Sequence, residues 1–199
     1  MNNNFEYLID ALKALPGVGA KQAKNIAYFL LNKDPMFIEE FIERIKNAKQ
    51  AIHLCKQCNN YTTNEDYCDI CKDFDRDNNK LCIVTNSEEL NKIEATKEYN
   101  GLYYVLMEEY DVKKNKPLPA QIVSKLITLL KKYKFQEITI ATSWTNNGEY
   151  TASYLKNIIK PNNSTAKIYR LAVGLPINSA LDYADNITIK HALKNKTEY

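Results

Sequence analysis

Cys55-Lys56-Gln57-Cys58-Asn59-Asn60-Tyr61-Thr62-Thr63-Asn64-Glu65-Asp66-Tyr67-Cys68-Asp69-Ile70-Cys71 divides the chain into parts of different character. Two C-x-x-C pairs stand nine residues apart in it. Zinc takes four soft ligands at the corners of a tetrahedron, and each C-x-x-C turn supplies two adjacent corners. Asn59, Asn60, Asn64 and Asp66, between the pairs, favour turning over regular structure. The expectation is one zinc per chain held by Cys55, Cys58, Cys68 and Cys71. Four thiolates leave no open coordination position, so the expected role is structural. Two other readings are weaker: metal-free reduced thiols do not explain the doubled pair, and a redox C-x-x-C normally stands alone at a helix start. Cys82, within Leu81-Cys82-Ile83-Val84, reads as a buried small hydrophobe, and His53 as a helix-end residue, not a ligand.

Before the cysteines the pattern is helical. Leu8, Ile9, Leu12 and Leu15 form one apolar stripe, and Ala23, Ile26, Ala27, Leu30 and Leu31 form a second. Phe37, Ile38, Phe41, Ile42, Ile45 and Ile52 make a third, started by Asp34-Pro35. Between the first two lies Pro16-Gly17-Val18-Gly19, the pattern of a helix-hairpin-helix. Its glycines permit positive φ and close approach of another backbone. Amides at the start of the second helix point outward and suit a phosphate. Lys21 and Lys24 follow, off the apolar face. Cations there oppose the helix dipole, which a bound phosphate would offset. The plain alternative is a helical hairpin with solvated lysines. Gly17, Val18, Gly19, Lys21 and Lys24 are thus the candidate DNA contacts, reading backbone and not base sequence.

After the cysteines, strands alternate with helices. Leu81-Cys82-Ile83-Val84, Leu102-Tyr103-Tyr104-Val105-Leu106, Glu137-Ile138-Thr139-Ile140-Ala141 and Lys167-Ile168-Tyr169-Arg170-Leu171-Ala172 read as strands. Helices are expected from a Ser87 cap to Glu94, from Pro119 to Tyr133, and to near Lys160, before Pro161. Such alternation means a mostly parallel sheet with helices on its faces. The chain has 199 residues and a formal net charge of +3, which permits nucleic-acid binding without indicating it. No apolar run approaches the roughly 18 residues of a membrane span. Met1-Asn2-Asn3-Asn4-Phe5-Glu6 does not resemble a secretory signal, so a cytoplasmic protein with reduced thiols and no membrane contact is expected.

Hairpin, four-cysteine knuckle and α/β domain, in that order, resemble the RecR family of bacterial recombination mediators. The resemblance spans residues 8–193 and rests on Leu15-Pro16-Gly17-Val18-Gly19-Ala20-Lys21, the cysteine spacing and Glu98-Tyr99-Asn100-Gly101-Leu102-Tyr103-Tyr104-Val105-Leu106. Gly148-Glu149, Gly174-Leu175-Pro176 and Leu181-Asp182-Tyr183 also match. It implies an α+β multidomain protein: a helix-hairpin-helix over 1–53, a four-cysteine zinc finger over 54–78, an α/β Toprim domain over 79–175 and a short C-terminal helical segment over 176–199. It further implies a homo-oligomer, a ring-like tetramer, that works with RecO and RecF to load RecA on gapped single-stranded DNA.

The chain departs from the family in several places. Thr85-Asn86 stand where a Glu pair is usual, and Thr142-Ser143-Trp144 where catalytic Toprim enzymes place Asp-x-Asp. Asn147 replaces a Glu, residues 107–117 lack the family's glycines, and Ile177-Asn178-Ser179 replace a Gly-rich turn. Asn25 replaces a basic residue, with Lys24 beside it. Mg²⁺-dependent cleavage needs clustered carboxylates. Only Glu88, Glu89 and Glu149 are near, and the first two fit a helix's first turn. No catalytic residue is assigned and a scaffold is expected. The alternative is a Toprim-type nuclease or primase using Glu88, Glu89 or Glu149.

Overall fold

The computed structural model describes residues 3–196 and 198, and it divides at His53/Leu54 into two compact units. Met1, Asn2, Thr197 and Tyr199, at the ends of the first and last expected segments, lie outside the described residues.

The first unit is helical: α1 (Asn3–Lys13), α2 (Ala20–Leu31) and α3 (Pro35–Ala51). Ile9 of α1 packs on Ala23 and Ala27, one turn apart on α2, whose small side chains let the two helices approach closely. Phe5, Leu8, Leu12 and Val18 close over this centre. Leu15, expected on the first stripe, lies past the end of α1 and is exposed. Asp34 caps α3 by accepting from the Phe37 amide at 2.8 Å, with Pro35 at the first helical position. No residue of α3 is buried: its apolar face, with Met36, Phe41, Ile42 and Ile45, is exposed. His53 opens β1 and is not a helix end, because α3 stops at Ala51.

The knuckle follows, with β1 (His53–Leu54) at the division and β2 (Tyr61–Thr62) and the single turn α4 (Asp69–Lys72) in the second unit. Then follow β3 (Asp77–Val84), α5 (Ser87–Thr96), β4 (Gly101–Val105), α6 (Ala120–Lys132), β5 (Glu137–Ile140), α7 (Asn146–Asn162), β6 (Lys167–Arg170) and α8 (Asn186–Lys194). The four long strands pair in the order β4-β3-β5-β6, all parallel. Their register sets Leu81 beside Leu102 and Ile138, and Ile138 beside Ile168.

Alternate residues along each strand face opposite sides. Leu81, Ile83, Leu102, Tyr104, Ile138 and Ile140 meet Leu126, Leu129 and Leu130 of α6 and Leu155 and Ile159 of α7. On the other face, Cys82, Val84, Tyr103 and Val105 pack with Leu90 of α5. Burial of both faces is what a parallel sheet requires, and it explains the near-continuous apolar strands. Cys82 is a buried hydrophobe, and burial pushes its thiol up to about 12.

Two helix ends differ from the sequence reading. Asn86, not Ser87, caps α5: its side chain accepts from the Glu89 amide at 2.9 Å, and Ser87 is already helical. α7 runs through Pro161 to Asn162. Proline forfeits only its own amide bond, and the Asn163 amide still closes on the Ile159 carbonyl at 2.8 Å. Among the described residues no helix is long and apolar enough to cross a membrane.

The turn from β5 into α7 leaves no room at Gly148, where a Cβ would collide with the Ser143 carbonyl oxygen. Gly148→Ala is therefore expected to cost about 1–3 kcal/mol, as overpacking does, by forcing this turn apart. A lowered guanidinium midpoint, followed by fluorescence of the single tryptophan in the same turn (Trp144), checks it.

Candidate metal centre and nucleic-acid interface

The four knuckle sulfurs all lie within 4.8 Å of one another, with Cys58 and Cys68 at 3.5 Å. A tetrahedron of sulfurs around zinc at roughly 2.3 Å has edges of about 3.8 Å, so the set fits that ion. Local backbone bonding makes the arrangement. The Cys55 amide donates to the Asn60 carbonyl at 2.8 Å, and Asn59 turns the chain at φ 61, a left-handed conformation that Asn tolerates. Cys68 starts α4, so Cys71 returns to the same side, its amide 3.0 Å from the Cys68 carbonyl. Amides of Asn60 and Cys68 point at the sulfurs of Cys58 and Cys55, both at 3.4 Å, and favour thiolate. The cluster's shared hydrogen bonds hold the Cys55 thiol far below its ordinary value, chiefly through Cys58. Thiols this close ionise together only around a cation, and zinc deprotonates its thiol ligands.

The knuckle is bonded to the sheet and α6. The Cys58 carbonyl accepts from the Val105 amide at 2.8 Å, and the Asn59 side-chain amide donates to the Val105 carbonyl at 3.1 Å. Lys125 of α6 donates to Asn59 Oδ1 at 2.7 Å. Gln57 Oε1 accepts from Tyr133 at 3.2 Å and from Lys132 at 3.3 Å. Sequence reasoning took Asn59 for a turn-former alone, since nothing in the sequence signals its distant partners.

In the first unit, Gly17 has φ +77, and Gly19 precedes α2 in extended conformation without a capping side chain. An added Cβ at either glycine would meet open space. The first turn of α2 holds no acid, Lys21 and Lys24 are exposed, and the Lys24 ammonium lies 6.0 Å from the Tyr28 ring centre. Val18 turns inward onto the core, where it braces the turn. The Val18 and Gly19 amides donate within the hairpin, to the Leu15 carbonyl and to Gln22 Oε1, both at 3.2 Å, whereas the amides after Gly19 belong to the first turn of α2, which carries Lys21.

The strand ends of the second unit bring the acids and hydroxyls named from the sequence together with two groups that reading missed, Glu109 and Arg170. Glu109, from the segment after β4, takes three hydrogen bonds on Oε1: from Thr85 Oγ1 at 3.2 Å, Ser143 N at 3.1 Å and Ser143 Oγ at 2.8 Å. Glu89 accepts from the Thr85 amide at 2.8 Å. Arg170 grips Glu149 at 2.6 Å, bonds the Ile140 and Ser143 carbonyls, and lies 4.6 Å from the Trp144 ring centre. Glu88 is exposed and pairs with Lys92. The available signal for Glu109 was positional: it follows a parallel strand's C-terminal end, where α/β sites form.

Family models match consecutive stretches of the chain: RecR, helix-hairpin-helix over 5–49; RecR, four-cysteine zinc finger domain over 52–73; Toprim domain over 79–172; and RecR, C-terminal over 174–197. The chain is 45% identical to the recombination protein RecR of Ureaplasma urealyticum over 192 residues, 96% of this chain and 94% of that one. It is 37% identical to that of Pediococcus pentosaceus, covering 96% and 95% of the two chains. With the sulfur geometry, the zinc-finger match assigns a structural zinc to the knuckle.

Protein purified without added metal is accordingly expected to carry about one zinc per chain, and cobalt exchange to give a thiolate charge-transfer band. Less than half an equivalent by elemental analysis, with no such band, contradicts this assignment.

Proposed function

Because the chain belongs to the RecR family, we propose that it serves recombinational DNA repair as a non-catalytic, DNA-binding clamp in the cytoplasm. In this reading it acts with RecO- and RecF-like partners to load RecA at single-strand gaps. The observation that carries DNA binding is the α1–α2 turn, where the amides after Gly19 coincide with Lys21 and Lys24 and no acid opposes them. A net charge of +3 gives no general positive field, so affinity has to be concentrated locally. Binding of this kind reads phosphates and is indifferent to base sequence.

A homo-oligomeric ring, a tetramer in this reading, is supported by apolar surface that the single chain leaves uncovered. The α3 face is one such surface; Leu175, Ile177, Leu181 and Tyr183 supply another. A ring multiplies weak phosphate contacts into useful affinity. A non-catalytic role is supported by how the strand-end acids are engaged. Glu109 and Glu89 accept from Thr85 and Ser143, and Glu149 is held by Arg170. A hard divalent cation would have to displace those donors.

Replacing Lys21 and Lys24 together with Ala is expected to lower DNA affinity and flatten the dependence of log K on log salt by about one unit for each phosphate released from its lysine. Both side chains are exposed, so circular dichroism should not change. Unchanged affinity and slope, with and without a RecO-type partner, would make the hairpin purely structural.

Plasmid incubated with the protein and Mg²⁺ or Mn²⁺ is expected to stay intact. Nicking that disappears in Glu149→Gln would instead establish a nuclease.

A further inference from the structure

The knuckle and α6 wall a cleft of about 180 Å³ within the second unit, whereas the hairpin belongs to the first. Lys125, Thr128 and Lys132 line it from the helix, and Lys56, Gln57 and Tyr67 from the knuckle. Among the described residues, none that lines it is acidic.

The cleft's charge is not cancelled from within. Lys125 donates to Asn59 at 2.7 Å and Lys132 to Gln57 at 3.3 Å. Both acceptors are neutral amides, which orient an ammonium without neutralising it. Lys56 pairs with Asp66 at 2.6 Å, but both side chains are exposed, so the pair is weak and leaves Lys56 donors that a phosphate can take. α6 contains no Asp or Glu to balance its lysines. The helix dipole accounts for Lys132 in the last turn but not for Lys125 in the middle. Each ammonium carries three donors, so one bond to an amide leaves others for an anion.

Spacing and an aromatic ring narrow the class of ligand. Lys125 and Lys132 are seven residues apart, two turns along one helix face, so their Cα atoms are about 10 Å apart. A single small anion does not need cations spread over that length, whereas successive phosphates of a strand do. Tyr67, a residue 41% exposed, stands among these cations. Cationic grooves interleaved with aromatic side chains are how proteins hold single strands without reading sequence.

We propose that this cleft is a second contact for single-stranded nucleic acid, with Lys56, Lys125 and Lys132 on backbone phosphates and Tyr67 stacked on a base. The proposal rests on the DNA-binding reading above and adds a site to it. It also gives the zinc a part in binding: the metal holds Lys56, Gln57 and Tyr67 opposite α6.

The test uses the full zinc-loaded chain and a fluorescent oligo(dT) across a salt series. Lys56→Gln combined with Lys132→Gln is compared with the unsubstituted chain, and again in the Lys21→Ala/Lys24→Ala background. The expected result is weaker binding and a salt slope reduced by about one unit for each phosphate no longer held, in both backgrounds, with zinc content unchanged. Acetylation footprinting of the unsubstituted chain gives an independent readout should the variant misfold. Oligo(dT) should protect Lys56, Lys125 and Lys132, and inorganic phosphate alone should not. Protection by phosphate with an unchanged oligonucleotide slope would make the cleft a small-anion site and overturn the proposal. Unchanged slope with no protection by oligo(dT) also overturns it, as for a cleft that takes an acidic protein segment. If the unsubstituted chain has no oligonucleotide affinity even at low salt, the family-based reading fails as well. Binding that survives in the unsubstituted chain without cleft protection removes the cleft alone.

Discussion

Val105 is the last residue of β4, the edge strand, so its outward amide and carbonyl have no neighbouring strand to pair with. The zinc turn takes both, through the Cys58 carbonyl and the Asn59 side chain. This exchange ties together three things that would otherwise be independent. It satisfies a buried strand end, which would cost about 1–3 kcal/mol per unpaired group. It closes one place on an edge where another chain could add a strand. It also fixes the knuckle's orientation, because a turn held at two points by one residue cannot pivot. Asn59 completes the connection by accepting from Lys125, so hydrogen bonds join the metal turn, the sheet edge and α6.

The same logic of occupied donors and acceptors governs the far end of the sheet. Parallel strands leave their C-terminal ends open, and in α/β proteins chemistry usually collects there. Here side-chain hydrogen bonds link the strand ends. Glu109 reaches back from the segment after β4 to join Thr85 at the end of β3 with Ser143 beyond β5. Arg170, at the end of β6, stitches the β5–α7 turn to Glu149. The hydroxyls at Thr85 and Ser143, where acids are expected for metal chemistry, are what allow one carboxylate to bridge them.

Charge in this protein is a matter of placement more than amount. With 27 basic and 24 acidic residues, the formal net charge is only +3. What remains are places where fold geometry keeps acids away from cations: the start of α2 and the face of α6 toward the knuckle. In both, backbone or neutral amides set the local direction and lysines supply the charge. The field of exposed charges such as these is screened beyond about a Debye length.

The sequence by itself determined the zinc and the fold class. Paired thiols at that spacing have few other uses, and apolar periodicity changes from 3.6 to strand-like runs across the knuckle. Both signals are local, and local chemistry is what a sequence records directly. Tertiary structure alone decided which distant residues meet. Asn59 and Lys125 are 66 positions apart, and Ser143 and Glu109 are 34 apart. Neither pair carries a periodic or spacing signature. Helix ends fell between these cases: Asn86 and Ser87 are both competent caps, and only the backbone angles at the end of β3 chose the first. Why α3 keeps an apolar face while burying nothing also lay beyond the sequence. Periodicity records that a face is apolar, whereas whether the chain packs another element on it is settled in three dimensions.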